Sequence, residues 1–407
     1  MQTLVFHNLS DRIQARAPVY GACFISLFLI AIYFSTALAI ILSGVIGLFW
    51  LLTGQFFTLA RILKEYPIAA WSLLLFICFF VGSAYGNASI KETFVIISKY
   101  RELFFIPVLI PFLKKNPHRN WVWLAFTVAS VLSFSISYLM SLGILDMTEI
   151  HGPSWKSRIT HSLFMAFFAF YCMHKAYNDN RFSTLYVVMF LLSAYNLFFI
   201  VEGRSGQLIA VALVALFALQ RFKIKGRILT ILGFAVFMGL FLNFSDKSSR
   251  IHEGIANTKA YMKEHPEQTD SSMGQRYTFW HYSLKLMAEK PFIGHGTGSF
   301  AQEYQRVAKG EHFMAQHPHN EFLLIGVQLG IMGLIPYFGF LVSLFYYSLK
   351  LPDQDKWLAQ GLLVSLVIIS LVNTPIFDHT EGHWFACMIA LCFASLGSDD
   401  KILKEDI

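Results

Sequence analysis

Charged side chains are scarce in this sequence. Asp, Glu, Lys and Arg account for 14% of the 407 residues, whereas soluble globular proteins typically carry about 25%. In their place, 56% of the residues are hydrophobic, and apolar runs of roughly 20 residues, enough to cross a bilayer core as a helix, recur along the chain. The composition therefore excludes a water-soluble globular protein and predicts an all-α, polytopic membrane protein.

Cysteine is also scarce. All five cysteines fall inside predicted membrane spans, where a thiol behaves as a small hydrophobic group. A disulfide framework and a thiolate metal site are therefore not expected. The sequence also lacks internal repeats, low-complexity tracts and a second soluble domain, so a single membrane domain covering residues 1–407 is predicted.

Uncharged stretches define the predicted spans. Residues 19–60 contain no charged side chain and are too long for one span, so they are predicted to form a helical hairpin that turns near Ser35 and Thr36. About twelve spans are expected in total. The remaining ones are placed at residues 67–85, 92–113, 121–144, 160–177, 183–200, 205–220, 228–244, 320–349, 357–375 and 383–397.

Basic residues are concentrated in alternate short loops, as is typical of segments that stay on the cytoplasmic side. These residues include Arg61, Lys64, Lys114, Lys115, Arg119, Lys175, Arg181, Arg221, Lys223, Lys225, Arg227, Lys350 and Lys356. The alternation predicts that both termini are cytoplasmic. It also accounts for the net charge of +7 without a basic patch, so nucleic acid is not an expected partner.

One connection, residues 245–319, is long and polar, and the alternation places it outside the cytoplasm. Loops of this length are uncommon unless they have a function. This loop contains seven of the fourteen histidines. Apolar residues recur at helical spacing over residues 277–287, before Pro291, which predicts a helix that packs as a cap on the spans or lies on the membrane surface.

Arg204 lies between two predicted spans on the outer side, within the Gly-Arg-Ser-Gly segment at residues 203–206 and close to Glu202. An arginine at a membrane boundary is costly unless it is paired or reaches water, so it marks a candidate site. The flanking glycines would allow a phosphate to approach the backbone closely. The alternative is a structural arginine that is paired with Glu202 or extends toward the interface.

Arg276 is predicted near the start of the loop helix, where its guanidinium and the free backbone N–H groups would both attract an anion. A glycine-rich segment at residues 291–298 follows this helix. Because no strand precedes it and the nucleotide-binding spacing is absent, the segment is interpreted as a tight structural turn.

The loop ends in the sequence His-Pro-His-Asn at residues 317–320, immediately before a glycine-bearing span. This location at the lipid–water boundary makes the histidines candidate catalytic groups. A zinc site formed by His312, His317 and His319 is the alternative, since imidazole binds zinc well. The spacing favours it less, because two of the histidines flank a proline and the outer loops contain neither an HExxH helix nor an Asp-x-Asp pair.

Two further groups of charges lie in or near predicted spans. Asp378, in the last outer loop, could orient a histidine or bind a sugar hydroxyl, although a solvated turn is the default interpretation. Lys99, Arg101 and Glu102 lie within one predicted span and are expected to form an internal ion pair.

With these motifs the sequence resembles the O-antigen ligase family of bacterial envelope enzymes, which is related to O-antigen polymerases and protein O-oligosaccharyltransferases. The match is a His-Asn-x9-Gly-x-x-Gly pattern at residues 319–333, which is similar to the family's signature around its essential histidine. The segments around Arg204 and Arg276 resemble the family's two other arginine-bearing elements. The resemblance extends from residue 197 to residue 396.

The resemblance implies a membrane glycosyltransferase of type C architecture in the bacterial inner membrane. It implies transfer of a glycan from undecaprenyl diphosphate to a sugar hydroxyl of lipid A-core on the periplasmic side, without a nucleotide sugar. The implied partners are the lipid-linked donor, lipid A-core and membrane lipids, and neither a cofactor nor a metal is expected.

The chemistry of the residues is consistent with these roles. Neutral imidazole, such as that of His319, suits removal of a proton from the attacking hydroxyl. Arg204 and Arg276 suit stabilisation of the departing diphosphate, where other enzymes use a metal, and the same cations would keep His319 neutral. Attack opposite the diphosphate would invert the anomeric centre. Three residues are expected to support the site: Asn320, Asp378 and Glu202.

Three alternatives remain. A polymerase would use a second lipid-linked glycan as the acceptor, and a protein glycosyltransferase would use a serine or threonine side chain. The absence of a further domain after the last predicted span favours the ligase. A flippase, in which the arginines bind a passing anion, is less favoured because the sequence lacks the repeated halves often found in transporters.

Overall fold

The computed structural model describes residues 2–148, 151–263, 271–309 and 315–397, with side chains from residue 16 onward. Within these ranges the chain is helical and contains no β-strand, which confirms the all-α prediction. The α-helices are α1 Gln2–Phe34, α2 Thr36–Leu52, α3 Leu59–Glu65, α4 Pro67–Ser83, α5 Ile90–Tyr100, α6 Glu102–Leu113, α7 Arg119–Ser141, α8 Arg158–Asn178, α9 Ser183–Tyr195, α10 Arg204–Arg221, α11 Ile224–Phe244, α12 Ser249–Lys263, α13 Ser272–Glu289, α14 Phe300–Val307, α15 Glu321–Ser348, α16 Asp353–Val372 and α17 His379–Phe393.

In the described part of the chain, six helices are long and apolar enough to cross a membrane. A seventh crossing results if the bent pair Thr36–Leu52 and Gln55–Glu65 is one span. The chain is therefore a multi-pass membrane protein, but the expected count of twelve spans is not confirmed. The expected spans coincide with helices, yet several of these helices are short, and the span expected at residues 92–113 is two helices that meet at Arg101.

The first hairpin turns where the sequence predicted. α1 ends at Phe34, and Ser35 caps the start of α2 because its hydroxyl oxygen accepts the N–H of Leu38 at 3.2 Å. A serine at this position satisfies one of the N–H groups that a helix start leaves unpaired.

Two helices form the centre of the bundle. α8 is buried along most of its length, and α17 is buried almost throughout. Trp384 of α17 stacks on Phe164 of α8 with ring centroids 5.0 Å apart. At the N-terminal ends of the same helices, the hydroxyl of Thr160 donates to the Glu381 carboxylate at 3.0 Å. The two helix starts are thereby held together beside the candidate site.

α15 is interrupted at Gly330. The φ of 58° and ψ of −149° at this residue are far from helical values, and a Cβ here would collide with the backbone of Pro291 and Phe292. Glycine alone fits both conditions. The interruption leaves backbone N–H and C=O groups unpaired in a membrane-spanning helix, where they must find other partners.

The glycine-rich segment at residues 291–298 fills this interruption. Two of its N–H groups donate to carbonyls that precede Gly330, and two of its carbonyls accept N–H groups that follow Gly330. The pairs are His295 with Val327, Gly296 with Gln328, Ile331 with Pro291 and Met332 with Phe292, at 2.8, 2.8, 2.8 and 3.1 Å. The loop thus completes the hydrogen bonding of the helix and is fixed to it.

The same segment confirms the interpretation of its glycines as a tight structural turn. Gly294, Gly296 and Gly298 all have positive φ. A Cβ on Gly294 would meet the backbone of Gln328, and one on Gly296 would meet the backbone of Gly86. The glycines are therefore required for close packing of backbone on backbone.

Replacing Gly330 with alanine is expected to destabilise the protein. Alanine disfavours the positive φ, which alone costs about 1–3 kcal/mol, and its Cβ would displace residues 291–298. The apparent melting temperature of the purified protein in detergent measures the effect. Gly239→Ala, in α11 with open space around it, is the control and should not lower the melting temperature. Equal melting temperatures for the two variants would show that the interruption is not under this constraint.

Candidate active site

The His-Pro-His-Asn segment places His319 in an unusual backbone conformation. His319 has a φ of 51°, which costs a residue with a side chain on the order of 1–2 kcal/mol. Its N–H donates to Nδ1 of His317 at 3.4 Å, and the two rings lie 4.3 Å apart between centroids. A strained residue that its surroundings hold in place is typical of functional sites.

Asn320 supports the site as a helix cap. Its side-chain oxygen accepts the N–H of Leu323 at 3.0 Å at the start of α15, and its amide nitrogen donates to the carbonyl of Leu371 at 3.1 Å. The residue thus ties the beginning of α15 to the end of α16. These contacts place Asn320 directly after His319, and its expected supporting role stays a prediction.

Asn373 is the side-chain hydrogen-bond partner of His319. The Asn373 amide oxygen lies 3.3 Å from Nδ1 of the imidazole. An amide oxygen can only accept, so Nδ1 carries the proton and the lone pair of the neutral ring is on Nε2. His319 lines a cavity of about 680 Å³. The site therefore holds the tautomer in which Nε2 is the basic atom.

Asn373 in turn contacts a second residue, Glu381. The Asn373 amide nitrogen donates to Glu381 at 3.4 Å, and Glu381 also accepts the hydroxyl of Thr160. Glu381 is 1% exposed. The contact of the amide nitrogen with Glu381 favours the orientation in which the amide oxygen of Asn373 faces His319. The sequence reasoning missed both residues, although a polar Asn-Thr pair directly after the apolar helix α16 is a signal that could have identified the first.

α13 confirms the predicted loop helix and lies alongside the His-Pro-His-Asn segment. Trp280 Nε1 donates to the carbonyl of Pro318 at 2.9 Å, and the Phe279 ring lies nearly parallel to that of His319, at 17° and 6.4 Å between centroids. Arg276 is one turn before Trp280, near the start of this helix. α13 also packs against α15, so it caps the spans and carries Arg276 to the histidines.

The charge of Arg276 acts on His319. Burial, followed by the Arg276 guanidinium, lowers the pKa of His319 below its ordinary value, and the hydrogen bond with Asn373 offsets this in part. Both effects disfavour the imidazolium. His319 is therefore neutral at neutral pH, as a general base must be.

Arg204 and Arg276 lie near each other. Burial and the charge of Arg204 both lower the pKa of Arg276. Arg204 begins α10, and its guanidinium donates to the carbonyl of Arg250 at 3.4 Å. Among the described residues, neither arginine has a carboxylate within the 4.0 Å of an ion pair. Two neighbouring cations without such a direct partner can attract an anion, although Glu253 acts on Arg204 from beyond ion-pair distance.

Glu202 does not pair with Arg204. Its carboxylate lies 3.3 Å from the ammonium of Lys247, at the start of the long loop. This contact removes the alternative in which Arg204 is a structural arginine neutralised by Glu202. The contact joins the segment before Arg204 to the start of the long loop, and the expected supporting role of Glu202 stays a prediction.

The glycines on either side of Arg204 have a different purpose from the one expected. A Cβ on Gly203 or on Gly206 would overlap the side chain of Ser162 in α8. Their lack of side chains allows the start of α10 to pack directly against α8. The expected role of these glycines was to let a phosphate approach the backbone. The structure instead shows that they pack against α8, and this packing positions Arg204.

Asp378 lines the cavity but contacts no histidine. Its carboxylate accepts the N–H groups of Thr380 and Glu381, at 2.8 and 3.2 Å, and so caps α17. The expectation that Asp378 orients a histidine is wrong for His319, since Asn373 occupies that place. A sugar hydroxyl in the cavity could still reach its other oxygen.

His317 is buried, and its hydrogen bonds are made to neighbouring residues of the same site. Burial, followed by His319, Lys99 and Arg276, lowers its pKa to about 3. Its Nδ1 receives the N–H of His319 and lies 3.2 Å from the hydroxyl of Thr374. These contacts hold the loop that bears His319.

The described residues contain one group with the composition of a metal site, formed by Glu102, His379 and His383. The Glu102 carboxylate lies 2.8 Å from Nδ1 of His379, and Nδ1 of His383 donates to the carbonyl of His379 at 2.6 Å. These hydrogen bonds engage one oxygen of Glu102, whereas its buried Oε2 has no hydrogen-bond partner among the described residues. The expected ion pair of Glu102 with Lys99 or Arg101 is not formed within 4.0 Å. His312, the third histidine of the alternative zinc site, lies outside the described residues.

The segment that contains these residues is similar to known proteins. Residues 187–338 match the family model described as O-antigen ligase, a range that contains Arg204, Arg276 and His319. The resemblance predicted from the His-Asn-x9-Gly-x-x-Gly pattern is thereby confirmed over these residues.

Several relatives resemble the chain in part. A protein of Rickettsia conorii named "Putative polysaccharide ligase" is 26% identical over 139 residues, which are 30% of this chain and 33% of that protein. A protein of the same name from Rickettsia bellii is 32% identical over 143 residues, 32% of each chain. An uncharacterized protein of Haemophilus influenzae is 21% identical over 347 residues, 79% of this chain and 84% of its own length. The chain thus matches about a third of the length of the polysaccharide ligases.

Removal of the Arg276 charge is expected to raise the pKa of His319. Diethyl pyrocarbonate reacts with the neutral but not with the protonated form of an imidazole. Its rate of reaction with His319, resolved by mass spectrometry of peptides, therefore falls as the pH decreases through that pKa. The inflection should lie below the ordinary value of 6.5 in the wild type. It should move to higher pH in Arg276→Gln, because one cation that opposes protonation is gone.

Arg181→Gln is the control for this titration. Arg181 is exposed and contacts Phe182, so its loss should leave the inflection in place. An unchanged inflection in Arg276→Gln would mean that the arginine does not act on the histidine.

Proposed function

We propose that this chain is an O-antigen ligase that transfers a glycan from undecaprenyl diphosphate to a sugar hydroxyl of lipid A-core. The reaction takes place on the periplasmic side of the bacterial inner membrane and uses no metal, in a glycosyltransferase of type C architecture. The observation that carries the proposal is that His319 lines a cavity with the Asn373 amide oxygen at its Nδ1, while Arg276 is near enough to lower the pKa of His319 and Arg204 is near Arg276. The family match over residues 187–338 supports the class of reaction.

His319 is the general base in this proposal. The acceptor hydroxyl gives its proton to Nε2 as its oxygen forms a bond to the anomeric carbon of the donor glycan. Asn373 holds the proton on Nδ1 of the imidazole, so the ring accepts through one nitrogen only. The imidazolium that forms is stabilised on one side by the amide oxygen of Asn373, which Glu381 in turn orients.

Arg204 and Arg276 bind the leaving group. As the bond between the anomeric carbon and the diphosphate oxygen breaks, negative charge grows on the diphosphate. Two guanidinium groups can each donate two parallel hydrogen bonds to phosphate oxygens, which is the function that a divalent metal has in other enzymes. The diphosphate also relieves the mutual repulsion of the two arginines. Attack from the face opposite the diphosphate inverts the anomeric centre.

Loss of the His319 side chain is expected to reduce transfer by about 10²–10⁴-fold, the usual contribution of a general base. The assay contains purified protein, undecaprenyl-diphosphate glycan and lipid A-core, with product detected by mass spectrometry. His281→Ala is the matched control, because His281 is an exposed histidine of the same loop, and it should retain full activity. Full activity in His319→Ala would eliminate the general-base assignment.

Two additions to this assay separate the alternatives. Loss of activity with EDTA, restored by a divalent ion, would replace the metal-free proposal with a metal-dependent one. Movement of the lipid-linked glycan across vesicles without a transfer product would instead identify a flippase. A product joined to a second lipid-linked glycan, or to a serine or threonine, would indicate the polymerase or the protein glycosyltransferase.

Arg204→Lys is expected to impair transfer although it keeps the charge, because lysine cannot form two parallel hydrogen bonds to a diphosphate. The expected result is a fall in kcat/KM for the donor of about tenfold or more, roughly the loss of one charge-assisted hydrogen bond. The KM for lipid A-core should not change. A variant with unaltered donor kinetics would remove Arg204 from the proposed diphosphate site.

A further inference from the structure

A second group of cations lies on the cavity itself. Lys99 and Lys91 of α5 line the cavity together with His319, whereas Arg204 and Arg276 are not among its lining residues. Lys99 is near enough to His317 to lower the pKa of that histidine. Two groups of cations therefore lie near the histidine segment, the arginines and these lysines, and only the lysines line the cavity. The proposed diphosphate site uses only the arginines.

Lys99 is held at the cavity wall by an aromatic ring. Its ammonium lies 3.8 Å from the centroid of the Phe377 ring, a cation–π contact that fixes the position of the charge without neutralising it. Within the described chain no carboxylate lies within 4.0 Å of this ammonium. Phe377 also packs against the ring of His317, so Lys99 and the histidine segment share one neighbour.

The carboxylates that line the same cavity are engaged elsewhere. Glu92 accepts the N–H and the hydroxyl of Ser89 at 2.9 and 2.8 Å. Asp378 caps α17, as described above, and attracts Lys99 only from beyond ion-pair distance. Glu381 is bonded to Thr160 and Asn373. The positive charge of the lysines is thus not cancelled by a direct contact.

We propose that Lys99, assisted by the exposed Lys91, binds an anionic substituent of the acceptor, a phosphate or a carboxylate on its sugars. This inference rests on the proposed function and specifies the acceptor half of it. An acceptor held by its anion at Lys99 lies in the cavity that Nε2 of His319 faces, so a neighbouring hydroxyl is brought to the base. A diphosphate on the arginines and an anion on the lysines would place donor and acceptor on separate sides of the histidine.

Binding of modified acceptors tests this proposal without requiring transfer. The protein in nanodiscs is titrated with lipid A-core, with the same lipid dephosphorylated in its core, and with the same lipid amidated at its carboxylates. The wild type should bind the unmodified acceptor about tenfold more tightly than the derivative that lacks the recognised anion, as loss of a charge-assisted contact predicts. The derivative that loses affinity identifies phosphate or carboxylate as the recognised group.

Three variants test whether the anion of the acceptor is bound at Lys99. Lys99→Met keeps the apolar stem against Phe377 but removes the charge, so it should reduce the tenfold preference to less than about twofold. Lys99→Arg should preserve the preference. Lys285→Met is the matched control, since Lys285 is an exposed lysine over the Tyr282 ring at 5.0 Å, and it should also preserve the preference.

Several outcomes would overturn the proposal. Equal binding of all three acceptors by the wild type would do so on its own, independently of how any variant folds. An undiminished preference in Lys99→Met would also overturn it. If Lys99→Met instead bound undecaprenyl diphosphate more weakly and bound the acceptor as the wild type does, Lys99 would belong to the donor site. An anion preference without any transfer product would instead contradict the proposed function and leave the acceptor site supported.

Discussion

The site depends on an exchange of backbone hydrogen bonds at the interruption of α15. Gly330 ends one helical segment inside the membrane domain, and residues 291–298 provide the donors and acceptors that the interruption leaves unpaired. In an apolar surrounding each such group would otherwise be costly. The loop cannot leave without exposing these groups, so the long connection is fixed to the spans at its middle. That attachment holds α13 on one side and the start of α15 on the other.

Because α13 and the start of α15 are both held by this attachment, residues that are far apart in the sequence are brought together in one arrangement. Trp280 of α13 holds the carbonyl of Pro318, and the strained backbone of His319 follows directly. Asn320 then starts α15 and binds α16. The energy of these contacts maintains a histidine in a conformation that its own backbone disfavours. Arg276 approaches the imidazole as a consequence of the same helix placement.

The charges around His319 determine which form of its imidazole is present and which ligands can bind beside it. Burial and neighbouring cations both keep His319 neutral, while the amide of Asn373 selects Nε2 as the basic atom. The arginines repel one another in the absence of an anion, and the lysines of the cavity lack a carboxylate in direct contact. A neutral base between two cationic surfaces suits a reaction in which an anion departs and an anionic acceptor arrives.

Sequence reasoning recovered the parts of this arrangement that are encoded locally. The hairpin at Ser35, the loop helix that carries Arg276 and the glycine turn followed from spacing and composition, and all are present. Asn373 and Glu381 were missed because they reach His319 only through tertiary packing. The glycines beside Arg204 were misinterpreted for the same reason, since Ser162 is distant in sequence. Hydropathy suggested about twelve spans, whereas six or seven of the described helices are long and apolar enough to cross a membrane, because several of the predicted spans are short or broken helices.

The measurement that tests this account most directly is an experimental structure of the protein with undecaprenyl diphosphate bound. We predict that the diphosphate lies between Arg204 and Arg276, that Nδ1 of His319 remains hydrogen-bonded to Asn373, and that Nε2 faces the cavity on the side away from the diphosphate, where the acceptor hydroxyl would attack. A diphosphate bound at Lys99, or one bound far from both arginines and the imidazole, would contradict it.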